Sequence, residues 1–229
     1  MGGYSQIATE LELYKVAANT KEYYCYYHLI SGVDFPIKSN KEILDFFDRN
    51  SGYEFLEVVK KEVAESYNIK DRYSVFHFYL KRGRFFWKIK RLSIKLQKKL
   101  GINRSPEIRP YFGSNWASLT DDAVQVLIRS ENKIKKIFRY SLTCDEVYKA
   151  TILMENEEFR KRLYRKPIKD TCISYNMRYI DWKRGNPYVF TMSDFDVLIN
   201  CNALLARKFS WEKDSEIVSK LYVYLSKKQ

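Results

Sequence analysis

Apolar positions at Ile7, Leu11, Tyr14 and Val16 recur at a spacing that predicts a helix over residues 4–19. A short aromatic and apolar run at 23–30 predicts a buried strand of a parallel or mixed sheet. Gly32 and Pro36 break that run into a loop over 31–36, after which Ser39 or Asn40 caps a helix over 41–49. Residues 54–59 and 73–79 read as further strands, with helix-compatible sequence between them. A loop over 105–110 carries two prolines, and 111–116 leads into a helix starting near Leu119. Another helix starts at Cys144 or Asp145. Residues 178–182 read as a strand, 193–200 as a short helix and 214–225 as a terminal helix. Mixed strands and helices without a repeat or flexible linker predict one α/β domain over 1–229.

Composition narrows the class. The 229 residues are 45% hydrophobic and 16% aromatic, enough to bury a sizeable core. No apolar run approaches the roughly 18 residues of a membrane span, and the N-terminus lacks signal-peptide architecture. Met1-Gly2 opens like a myristoylation signal, but Gln6 stands where that signal needs Ser or Thr. Cys25, Cys144, Cys172 and Cys201 show no C-x-x-C spacing, and only His28 and His77 could join them on a metal. Reduced, structural thiols are the expectation. With two histidines in the chain, acid–base chemistry falls mainly to carboxylates.

The net charge is +13, and segment 81–104 concentrates it with ten Lys or Arg residues and no acid. Apolar residues lie among them at helical spacing. Such an element can rest on an anionic membrane surface, or it can be a solvated helix whose apolar side packs on its own domain. Nucleic acid is the weaker fit, because no nucleic-acid-binding motif accompanies the charge.

Against that basic background Thr143-Cys144-Asp145-Glu146 stands out. Thr143 and Glu146 have the spacing of a capping box, which would spend Glu146 on helix-end amides. A carboxylate kept in a basic protein also suits a general base that takes a proton from a hydroxyl.

The order of short motifs carries a resemblance. His28-Leu29-Ile30-Ser31-Gly32-Val33-Asp34-Phe35-Pro36-Ile37-Lys38 resembles the L-S-G-x-D-[YF]-P-I-K signature of glycosyltransferase family 14. That family holds core 2 and I-branching β-1,6-N-acetylglucosaminyltransferases and peptide O-xylosyltransferases. In the family's order follow Gly113-Ser114-Asn115-Trp116, Asp145-Glu146 with Thr151-Ile152, Tyr179-Ile180-Asp181-Trp182, and Leu205-Ala206-Arg207-Lys208-Phe209. Gly2-Gly3-Tyr4-Ser5 resembles a motif well inside family members. The resemblance therefore implies a GT-A-like mixed sheet flanked by helices, with the first nucleotide-binding strands missing from an N-terminally truncated chain.

What the resemblance implies for chemistry is an inverting transfer, without a metal or other cofactor, from UDP-GlcNAc or UDP-xylose to an acceptor hydroxyl of a glycan or polysaccharide. Glu146 matches the catalytic base, with Cys144 where proline is frequent. Lys208 matches the Lys that neutralises the UDP phosphates, with Arg207 beside it. Arg184 is the expected second phosphate ligand and Arg178 its reserve. Asp34 falls near the donor site, or only stabilises the turn before Pro36. Glu57 and Trp182 fall on acceptor-contacting positions, or are a solvated strand residue and a core residue. Trp116 reads as core. The basic acceptor contacts of the core 2 enzyme do not carry over, since Glu65 and Asn68 occupy the counted positions. The competing functional readings are a non-catalytic module binding anionic surfaces and an inactive fragment of the enzyme. The short loops resemble compact bacterial members. That implies a cytoplasmic or inner-membrane-surface setting, whereas eukaryotic members sit in Golgi membranes.

Overall fold

The computed structural model describes residues 3–59, 69–78, 84–104 and 107–228, and the backbone alone for 84–87. In chain order come α1 (Tyr4–Ala18), β1 (Tyr26–His28), β2 (Asp34–Pro36), α2 (Asn40–Arg49), β3 (Phe55–Leu56), α3 (Ile69–Ser74), α4 (Arg84–Lys99) and β4 (Ala117–Thr120). Then follow α5 (Asp121–Arg129), α6 (Glu131–Phe138), α7 (Asp145–Leu153), α8 (Glu157–Lys161) and β5 (Arg178–Ile180). A 3-10 turn (Met192–Asp194), α9 (Phe195–Asn200), β6 (Leu205–Arg207) and α10 (Ser215–Ser226) complete the order. The strands form three-stranded sheets of order β1-β4-β3 and β2-β6-β5. The fold is mixed α/β with small sheets flanked by helices, in keeping with the GT-A-like class expected. The chain forms two compact units. One comprises Met1–Tyr27, Leu56–Asn115 and Leu119–Arg162; the other comprises His28–Phe55, Trp116–Ser118 and Leu163–Gln229.

In the first unit, α1 buries Ile7, Glu10, Leu11 and Tyr14, one stripe at three- and four-residue spacing. Val16 lies off that stripe and is 68% exposed, so its predicted place in the apolar face is taken by Glu10. The stripe belongs to a core that also holds Val124 and Leu127 of α5, Ile134 and Phe138 of α6, and Val147 and Leu153 of α7. Each such burial contributes roughly 1.5–3 kcal/mol. Glu10 is tolerated there because Lys149 Nζ lies 2.6 Å from its Oε1 and Tyr14 Oη donates to the same oxygen at 3.1 Å. Lys149 Nζ also donates to Asn115 Oδ1 at 2.5 Å. The helix expected near Leu119 begins later. Ala117–Thr120 is strand, and Thr120 caps α5 by accepting from the Ala123 amide at 3.4 Å.

The strand expected over 73–79 is not formed among its described residues. α3 runs to Ser74, and of the residues after it His77 donates its amide to the Tyr140 carbonyl at 2.8 Å without a strand forming, while Phe76 finds a side-chain partner. Gln97 Oε1 accepts from the Phe76 amide at 2.7 Å, and Gln97 Nε2 donates to the Phe76 carbonyl at 3.1 Å. One amide side chain thus satisfies both backbone groups that a strand neighbour would have taken. Residues 60–68, 79–83 and 105–106 lie outside the described residues, including Glu65, Asn68 and the start of the basic segment.

In the second unit, β6 is the central strand of its sheet. β2 pairs with it antiparallel, setting Asp34 opposite Arg207, while β5 pairs parallel and sets Ile180 opposite Arg207. The loop expected over 31–36 is thus partly strand. Pro36 is admissible because β2 is an edge, where no amide is demanded of it on the open side. Ile37, Tyr179, Phe190, Leu198, Ala206, Phe209, Ile217 and Leu221 form the core. Ser39 caps α2 through a complete capping box with Glu42, and Asp214 caps α10 through the amides of Glu216 and Ile217. The strand expected over 23–30 shrinks to 26–28, with Tyr23 outside it and exposed. That over 54–59 shrinks to Phe55–Leu56.

Candidate active site

Glu146 sits in the first turn of α7, but it does not cap the helix. Thr143 has φ +47°, in the left-handed region, and Cys144 is the N-cap without a side-chain bond to the helix amides. Glu146 Oε2 instead accepts from Arg72 Nη1 at 2.7 Å, and the same nitrogen donates to the Thr143 carbonyl at 3.3 Å. The Arg72 guanidinium also lies 5.4 Å from the Phe112 ring centroid, which limits its swing. The Glu146 side chain is 41% exposed, so a hydroxyl from solution can reach it. Among the described residues no other hydrogen bond engages this carboxylate. Next to it, Cys144 is buried and burial pushes its thiol up to about 12, which fits a structural thiol rather than a nucleophile.

Gly113 ties Glu146 to Glu57 within the same unit. Its amide donates to the Glu146 carbonyl at 3.0 Å. A Cβ on Gly113 would lie 1.7 Å from the Glu57 carbonyl oxygen, so only glycine permits this approach. Glu57 is half-buried. The two predicted acidic positions are therefore held by one backbone crossing.

In the second unit Asp34, Arg207 and Lys208 are neighbours. Asp34 Oδ2 accepts from the Ser31 amide at 2.6 Å and the Ser31 hydroxyl at 2.9 Å, closing the turn before β2. Its Oδ1 lies 3.6 Å from Arg207 Nε, and the side chain is 1% exposed. The Arg207 guanidinium stacks 4.2 Å above the Trp116 ring. Burial pulls the Arg207 guanidinium below its ordinary pKa, and the Asp34 carboxylate opposes that pull. Both residues thus serve the strand pair, and Trp116 is the platform for Arg207 within this arrangement. Lys208 follows through a cis peptide bond. Its amide donates to the Tyr188 carbonyl at 3.3 Å, and its carbonyl accepts from the Phe190 amide at 2.9 Å. Among the described residues Lys208 forms no ion pair, which leaves its charge available to an anion.

Arg184 differs. Its Nε donates to Asp181 Oδ2 at 2.6 Å and its Nη1 to Asp194 Oδ1 at 2.7 Å, with the guanidinium 4.0 Å from the Tyr188 ring centroid. Those carboxylate bonds raise its pKa further, and two acids outweigh its single charge. Arg178, the reserve, is fully buried and donates to the carbonyls of Asn176, Leu29 and Ala117. Trp182 is 61% exposed, which excludes the core alternative for it.

Sequence reasoning missed Arg72. It lay in a stretch read at the border of a helix and a strand, and no local pattern signals a partner 74 residues away. It also missed that Asn115, within the Gly-Ser-Asn-Trp motif, serves Lys149. Among the described residues no group of three or more His, Cys, Asp or Glu side chains is placed to hold a metal ion.

Residues 1–197 match the family model described as Branch: Core-2/I-Branching enzyme. The chain is also 28% identical over 139 residues to the beta-glucuronosyltransferase GlcAT14A of Arabidopsis thaliana, covering 58% of this chain and 27% of that protein. It thus spans about a quarter of the length of that curated relative. The matched family span contains Asp34, Glu57, Glu146, Trp182 and Arg184, whereas Arg207 and Lys208 follow it. The chain belongs to the Core-2/I-branching enzyme family of glycosyltransferases.

Proposed function

We propose that this chain carries catalytic residues of an inverting glycosyltransferase that moves a sugar from a UDP-sugar to an acceptor hydroxyl. The acceptor oxygen attacks the anomeric carbon as the bond to the UDP oxygen breaks, and Glu146 takes the hydroxyl proton. Lys208 stabilises the negative charge that develops on the departing diphosphate, acting as a point charge in place of a divalent cation. Glu57 and Trp182 contact the acceptor, one through hydroxyls and one through its exposed ring face. Asp34 and Arg207 hold the strand pair from which Lys208 emerges. Arg184, neutralised by Asp181 and Asp194, shapes the segment after β5 and is assigned that role rather than a phosphate contact. The donor sugar is GlcNAc or xylose by family resemblance, with glucuronic acid added by the activity in the plant relative's name.

The observation that carries this reading is the Glu146 carboxylate, reachable from solution and held at one oxygen by Arg72. The test is transfer or hydrolysis of UDP-GlcNAc, UDP-xylose and UDP-glucuronic acid in EDTA. Turnover that disappears in Glu146→Gln supports the assignment. Turnover retained in that variant removes Glu146 as the base. A UDP titration showing no affinity favours the inactive-fragment reading.

A further inference from the structure

Helix α4 resolves a choice that its sequence leaves open. Its inner side carries Gln97, buried and bonded to both backbone groups of Phe76, with Ser93 and Ile94 half-buried nearby. The helix is therefore fixed to its own unit without using all of its apolar residues. Ile89, Leu92 and Leu96 stand at i, i+3 and i+7, one line along the helix, and they are 40%, 68% and 55% exposed. Leu100 extends the line just past the helix end and is 66% exposed. The end itself is firm. Gly101 takes φ +68°, the Ile102 amide donates to the Gln97 carbonyl at 3.0 Å, and the Gly101 amide donates to the Lys98 carbonyl at 3.1 Å.

The side chains next to this aliphatic line are cationic. Lys88, Lys95 and Lys99 are exposed and flank it on one side at helical spacing. The described helix contains no acid, and among the described residues Asp71 pairs with Lys98, further round the surface. An aliphatic line bordered by lysines matches the boundary of an anionic bilayer, where acyl chains take the leucines and headgroups take the ammonium groups. A nucleic acid backbone would use the lysines and leave four aliphatic side chains in water.

We infer that α4 is a peripheral docking face for an anionic phospholipid surface, with Ile89, Leu92, Leu96 and Leu100 entering the headgroup boundary. Among the described residues no helix is long and apolar enough to cross a membrane, so this contact lies along the surface.

Co-sedimentation of the full chain with vesicles of equimolar phosphatidylglycerol and phosphatidylcholine tests the inference. The parent chain binds these vesicles, and binds pure phosphatidylcholine at least about 10-fold more weakly. Leu92→Gln with Leu96→Gln weakens binding to the anionic vesicles by about 10-fold or more, with unchanged circular dichroism because both residues face solvent. Lys88→Glu with Lys95→Glu removes the preference for the anionic lipid. Four results would overturn the inference. One is no binding of the folded parent to anionic vesicles. Another is binding that ignores the leucine changes, or that duplex DNA matches equally in parent and leucine variant. The last is a parent dimer in sedimentation equilibrium that the leucine changes dissociate and that binds no vesicles, which assigns the face to a second copy.

Discussion

Arg72 Nη1 lies 2.7 Å from Glu146 Oε2, joining α3 to the first turn of α7. The bond fixes the direction of a carboxylate that would otherwise rotate freely on an exposed helix end. If Glu146 is the base, its catalytic value depends on where its other oxygen points. Glu146→Gln should then lower kcat by about 10²–10⁴-fold, the usual worth of a positioned general base. Arg72→Met should lower kcat with little change in UDP affinity. Arg72→Lys keeps the charge without the planar fork, so it should recover part of the rate. An Arg72→Met enzyme whose rate and melting temperature fall together, and whose rate Arg72→Lys does not recover, would make Arg72 a stability residue only.

Lys208 and Arg184 separate by their existing partners. Arg184 already serves two carboxylates, while among the described residues Lys208 serves none. Lys208→Met should therefore weaken UDP binding by about 10–100-fold, the loss of one charge-assisted contact. Arg184→Met leaves Asp181 and Asp194 facing each other without their cation. It should lower the melting temperature more than it lowers UDP affinity. Calorimetric titration of UDP on both variants, with their melting curves, decides the assignment, and the reverse ranking would restore Arg184 as the phosphate ligand.

What was legible in the sequence follows from the range of the interactions. Helix starts at Ser39 and Asp214 were readable because a capping residue lies within three positions of its amides. The stripe of α1 was readable at Ile7, Leu11 and Tyr14, but Glu10 hid in it because its counter-ion is Lys149, 139 residues away. The 73–79 stretch alternates like a strand, yet Gln97 satisfies Phe76 from another helix. The capping-box spacing at 143–146 was local and still misleading, because Thr143 adopts a left-handed backbone and Arg72 offers Glu146 a charged partner. For the candidate site, motif order located residues, while their commitments came from long-range pairs: Arg184 to Asp194, Asp34 to Arg207, Gly113 against Glu57.

The buried Lys149–Glu10 pair should be costly to break and cheap to replace. Lys149 and Glu10 side chains are 2% and 5% exposed. Lys149→Met strands a carboxylate in the core of the first unit and should cost about 3–5 kcal/mol. Over a chain of this size that corresponds to roughly 10 °C in melting temperature. Glu10→Leu added to Lys149→Met removes the stranded charge and should return most of the loss. A double variant no more stable than Lys149→Met alone would show that the loss lies in the hydrogen bonds of Asn115 to Lys149 and of Tyr14 to Glu10, not in the stranded charge.

His77 gives the first unit a pH dependence in a window above the carboxylate range. It is 4% exposed, and its Nε2 lies 2.7 Å from the Asp71 carbonyl, which selects the tautomer that donates there. Burial is the main cause that lowers its pKa below the ordinary 6.5. The Asp71 carbonyl opposes this, while Lys90 and Arg104 add to the lowering. The folded state therefore binds fewer protons than the unfolded one once pH falls below that ordinary value. Stability from His77 is fully present above about pH 6.5 and is lost as pH falls toward the folded pKa. Melting temperature should drop between about pH 7 and pH 5, before carboxylate protonation contributes. His77→Gln can still donate to the Asp71 carbonyl but cannot gain a charge, so its melting temperature should change less over that interval. Equal slopes for the two proteins would show that His77 is protonated in the folded state as readily as in the unfolded chain.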